Sequence, residues 1–114
     1  MKALLLILGL TWACLSFAQG AQGTKEILLD NDKVQMVRLT YPPGSESGMH
    51  THQYPHRTVY FVKGGKLELV PEDGSKPSKV LNAADGDYLY LPAMTHNVKN
   101  IGDSDVILIE HEIK

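Results

Sequence analysis

The stretch GSESGMHTHQYPHRTVYFVKG, residues 44–64, is the most informative part of this 114-residue chain. Its second half, Thr58 to Val62, is β-branched and aromatic throughout, the composition of a strand packing on a pleated surface. Its first half sets His50 and His52 two residues apart, so in an extended segment both imidazoles project from one side. Two neutral imidazoles side by side suit a metal such as Fe, Zn, Cu or Ni.

The same short-strand grammar continues on both sides. Val34, Met36, Arg38 and Thr40 alternate with Gln35, Val37, Leu39 and Tyr41, and Lys66 to Val70 alternates polar and apolar residues. Tyr88 to Leu91 and Val106 to Ile109 are further apolar runs. Turn residues separate them: Pro42-Pro43-Gly44, Gly64-Gly65, Asp73-Gly74, Asp85-Gly86 and Gly102-Asp103. Gly64-Gly65 joins two strand-like runs directly and predicts a tight hairpin. No apolar stripe keeps a helical period for three turns after Ala18. Many short strands with even turn spacing predict an all-β sandwich or barrel of one domain, over residues 24–114.

Spacing then narrows the choice of barrel. Gly44, five residues, His50-Thr51-His52, four residues, Arg57, six residues and Gly64 resemble the first cupin motif, G-x5-H-x-H-x3,4-E-x6-G. Gly86, five residues, Pro92, and then His96, three residues and Asn100 resemble the second, G-x5-P-x-G-x2-H-x3-N, with Met94 at the glycine position and one residue fewer before the histidine. The resemblance runs from Lys33 to about Glu112. It implies a cupin-type jelly-roll β-barrel whose mouth holds one divalent metal ion (Fe, Mn, Zn, Ni or Cu) on His50, His52 and His96. Three imidazoles on rigid strands leave coordination positions open for chemistry.

The glutamate usual in the first motif is missing. Arg57 stands at its position, and at the shorter permitted spacing stands His56. A guanidinium is repelled by a divalent cation and is no ligand. Three arrangements follow: a three-histidine site, as in the cupin thiol dioxygenases; a four-histidine site with His56 turned inward by a bulge at Pro55; or a pocket without metal. If Arg57, Val59 and Phe61 face inward, Arg57 borders the pocket and can grip a carboxylate bidentately. The alternative pairs it with an acid such as Glu68 or Glu110 at the barrel rim. Tyr54, in the loop after His52, is a further candidate for lining the pocket. The nearest acid along the chain is Glu46, on a loop, which disfavours acid–base isomerisation. His111 reads as a solvated or pairing residue.

The first eighteen residues stand apart. Met1-Lys2 is followed by an apolar run from Ala3 to Ala13 that is too short to span a bilayer, and Ser16-Phe17-Ala18 offers small residues at a cleavage site. Residues 1–18 are therefore expected to be a cleavable signal peptide, placing the protein in the periplasm or outside the cell. Cys14 raises a lipoprotein alternative, which Thr11-Trp12 fits poorly. Cleavage leaves 96 residues (114 − 18) without cysteine, so no disulfide supports the fold. Loss of Lys2 moves the formal charge from −2 to −3, and no basic run exists, which disfavours nucleic acid and membrane surfaces as partners. A small barrel without disulfides is expected to extend its core as a homodimer.

The expected function is metal-dependent chemistry on a small, acidic organic molecule, with non-haem dioxygenation as the reaction class. The alternatives are a non-catalytic barrel that binds a small ligand or metal, and a degenerate cupin without metal.

Overall fold

The computed structural model describes residues 21–114; the expected signal peptide and Cys14 lie outside them. The described residues form nine strands and no helix: β1 (Thr24–Asp30), β2 (Val34–Tyr41), β3 (His50–His52), β4 (His56–Lys63), β5 (Gly65–Pro71), β6 (Lys79–Ala83), β7 (Tyr88–Leu91), β8 (Met94–Asn100) and β9 (Val106–Ile113). Two sheets result, ordered β1-β2-β9-β4-β7 and β3-β8-β5-β6, and every strand pairing is antiparallel. This is the all-β, single-domain architecture that the turn spacing predicts and the jelly roll that the cupin resemblance implies.

Side-chain alternation decides which face of each strand is buried. Along β4, Arg57, Val59 and Phe61 are buried while His56, Thr58 and Tyr60 are exposed. Along β9 the inward phase is Val106, Leu108 and Glu110. The apolar members of these two strands, with Tyr41 from β2, Leu67 from β5 and Val98 from β8, make one core between the sheets. Each large apolar side chain buried there contributes about 1.5–3 kcal/mol relative to exposure. Asn100 closes one end: its Nδ2 donates to the carbonyls of Tyr41 at 2.7 Å and Ser104 at 2.8 Å, and its Oδ1 accepts from the Gly102 amide.

The Gly64-Gly65 hairpin does not form. β4 pairs with β7 and β9, and β5 pairs with β6 and β8, so the link carries the chain from one sheet to the other. Glycine is needed there for close approach. A Cβ on Gly64 would stand 2.1 Å from the Ala83 carbonyl oxygen, and one on Gly65 would stand 2.7 Å from Val106 Cγ2. Among the described residues, the left-handed turn conformations fall instead on Gly44, Gly48 and Gly86.

Candidate metal centre

β3 pairs with β8 in a register that sets His50 opposite His96 and His52 opposite Met94. Directly opposed residues carry Cβ atoms about 4.5–5.5 Å apart, and His52, two residues on, shares the face of His50. One short strand pair thus gathers three imidazoles. Nε2 of His50 lies 2.8 Å from Nε2 of His52, which lies 3.1 Å from Nε2 of His96. His52 and His96 are buried and His50 is half-buried.

The outer nitrogens fix the tautomers. His50 Nδ1 lies 2.8 Å from the Gly48 carbonyl oxygen, which only accepts, and His52 Nδ1 meets the carboxylate of Glu112. Both Nδ1 atoms therefore carry the proton, an assignment made from their acceptors. Each Nε2 is left with a bare lone pair, and two such lone pairs facing each other at 2.8 Å repel unless a cation lies between them. Nitrogens about 2.0–2.1 Å from a shared ion stand roughly 3.0 Å apart when the bonds are at right angles, which the observed separations match. The donor set fits a divalent metal ion. Burial lowers the pKa of His52 to about 4, against the Glu112 hydrogen bond, and burial above all lowers that of His96 to about 3, with the Arg57 guanidinium acting in the same direction. Both rings are thereby held in the neutral form that a metal binds.

Acidic groups arrive from the far end of the chain. Glu110 and Glu112 lie on the inward phase of β9 and converge on His52 Nδ1, with Glu110 Oε1 3.8 Å away. Burial pushes the Glu110 carboxyl up to about 7, with Arg57 opposing. Glu46, the acid nearest the histidines in sequence, instead faces Lys99 at 3.9 Å. A carboxylate in the inward phase of an otherwise apolar strand was the available signal for Glu110 and Glu112. A cleft of about 310 Å³ opens on His50, His52, Tyr41, Lys25, Glu110 and Glu112. Behind the triad a hole of about 40 Å³ reaches Arg57. Beside His96, an apolar groove of about 360 Å³ is walled by Met94, Leu91 and Pro77.

A family model described as a cupin domain, Cupin_2, matches residues 37–112. This chain is a cupin. It is 29% identical over 93 residues to the beta-alanine degradation protein BauB of Pseudomonas aeruginosa, across 82% of this chain and 95% of that one. It is 32% identical over 98 residues to the oxalate decarboxylase OxdC of Bacillus subtilis, across 79% of this chain but only 25% of the larger enzyme. The crystal structure of a cupin domain from Bordetella pertussis Tohama I superposes with a TM-score of 0.75 at 28% identity, covering 84% of this chain and 97% of that one.

Strand phase decides between the alternatives that spacing left open for His56 and Arg57. His56 does not turn inward: it is exposed on the outer face of β4, with Nδ1 2.7 Å from the Tyr90 hydroxyl, because the strand phase that buries Arg57 forces its neighbour out. Arg57 is 1% exposed, so it is not a rim residue; its Nη1 lies 3.8 Å from Glu110 Oε2 in the interior, while Glu68 accepts from Ser78 instead. Tyr54 is exposed and lies outside the lining of the cleft and of the hole. His111 faces Thr58 on the outer surface.

Proposed function

We propose that this cupin is an exported protein that holds one divalent metal ion on His50, His52 and His96 and acts on a small organic molecule, with non-haem dioxygenation as the reaction class. The observation that carries this reading is the pair of Nδ1 contacts, to Gly48 and to Glu112, that turn two Nε2 lone pairs onto one point. Outer hydrogen bonds of this kind orient metal-bound histidines and fix their tautomer. When bound, such an ion would supply Lewis acidity or one-electron chemistry with coordination positions open. The chain's own residues do the rest. Glu112 holds the His52 ring in place, and Glu110 can keep or give up a proton beside it near neutral pH. Behind the triad, Val59, Phe61, Leu67 and Leu108 give the site a largely apolar back wall. Two relatives are named for small carboxylate-bearing molecules, oxalate and beta-alanine, which favours a substrate of that size.

The test is to load the mature chain with Fe(II), Mn(II) or Zn(II) and follow oxygen uptake and product formation with a panel of small acids. Metal-dependent turnover that is lost in His96→Ala supports the reading. Metal binding with no turnover under any loading makes the protein a non-catalytic binding barrel, and failure to bind any metal overturns both.

A further inference from the structure

Arg57 is a buried cation with no adequate partner. None of its three guanidinium nitrogens has a hydrogen-bond partner among the described residues. The nearest carboxylate oxygen, Glu110 Oε2, is 3.8 Å from Nη1, beyond hydrogen-bond length. The hole that Arg57 lines is mostly apolar, with Phe61, Leu67 and Leu91 among its walls. Folded proteins rarely leave buried donors unmet, and a guanidinium has five N–H groups to satisfy. Arg57 also stands where the motif has a glutamate, so the charge on this part of the barrel wall is inverted.

We propose that Arg57 is the receptor for the carboxylate of a small organic acid, bound in the hole between its guanidinium and the three histidines. The planar fork of N–H groups matches the two oxygens of a carboxylate. The hole, about 40 Å³, exceeds the room one water needs and suits a group of about three heavy atoms. Tyr41, His50, His52 and Glu110 line both this hole and the outer cleft. An acid seated on Arg57 therefore has its remaining atoms beside the Nε2 cluster. This orientation rests on the metal reading; the anion site itself does not.

Calorimetric titration with formate, acetate, oxalate and malonate, on metal-free and metal-loaded mature protein, tests it. At least one acid is expected to bind both forms and to raise the melting temperature, as any ligand selective for the folded state does. Arg57→Met should weaken that binding at least tenfold in both forms and abolish the ligand-induced rise in melting temperature. Its melting temperature without ligand should equal or exceed that of the wild type, because an unpartnered buried charge has been removed. Should the methionine variant fail to fold, Arg57→Lys decides: it keeps the charge but loses the fork, and an affinity equal to wild type overturns the proposal. Unchanged binding in Arg57→Met, equal binding of sulfate and chloride, or no binding by the wild type at millimolar acid overturns it too. Carboxylate binding by protein that takes up no metal would remove the metal reading and leave the Arg57 site standing.

Discussion

Replacing Glu112 with glutamine keeps the side chain's size and removes its charge. Glu112 accepts the Nδ1–H of His52 at a side chain only 14% exposed, so the contact is poorly screened by solvent. Removing such an outer partner from a metal-bound histidine weakens metal binding by roughly 10–100-fold, or about 1.4–2.7 kcal/mol. Two features place Glu112→Gln at the lower end. The amide oxygen of glutamine still accepts the same proton and keeps the tautomer, and Glu110 remains 3.8 Å from that nitrogen. Glu112 also helps to raise the Glu110 pKa, so its loss lets Glu110 ionise more readily and replace part of the missing charge. The expected loss is about tenfold. Glu112→Leu cannot accept the proton and should fall toward the 100-fold limit of about 2.7 kcal/mol. Competition against a chromophoric chelator at neutral pH gives the three affinities, expected in the order wild type, Glu112→Gln, Glu112→Leu. Equal affinities would refute the role given to Glu112.

Other expectations follow from the same structure. Metal-free protein should lose stability as pH falls from 6.5 to about 4.5, by up to about 1.4 kcal/mol per unit. In that window the unfolded chain protonates His52 and His96, which stay neutral when folded, while Glu110, protonated only in the folded state, offsets one of the two. Urea midpoints across this range check the sign, and a rise on acidification contradicts it. Gly64→Ala should cost about 1–3 kcal/mol, because its Cβ meets the Ala83 carbonyl; a wild-type denaturation midpoint would show that the crossing has slack. Sedimentation of the mature chain at micromolar concentration should give a dimer, the exposed Tyr60, Tyr88 and Tyr90 supplying the face; a monomer alone would remove that expectation.

The strands at Thr58–Val62, Lys66–Val70, Tyr88–Leu91 and Val106–Ile109 were legible because each announces itself by local composition and period. The link at Gly64-Gly65 was misread for the opposite reason: which sheet a strand joins is decided by partners far along the chain, and two adjacent strands here take none in common. His50 and His52 could be paired from their spacing alone, but His96 joins them only through the motif or the β3–β8 register. Spacing left His56 and Arg57 as rivals until strand phase turned one out and one in. The inward phase that Glu110 and Glu112 share with Val106 and Leu108 is visible in the sequence, but they went unassigned to the site because their approach to His52 comes from the opposite sheet.

Metal content is the most direct measure of whether the histidine triad is a metal site. Mature wild-type protein and His50→Ala are each exposed to Fe(II), Mn(II), Zn(II), Ni(II) and Cu(II), freed of excess metal and analysed for bound ions, with unfolding curves to show that both are folded. The wild type should retain about one ion per chain of at least one metal, as a single three-histidine site requires, and folded His50→Ala should retain little or none. Equal retention by the two proteins, or no retention by the wild type of any metal, would contradict the assignment of His50, His52 and His96.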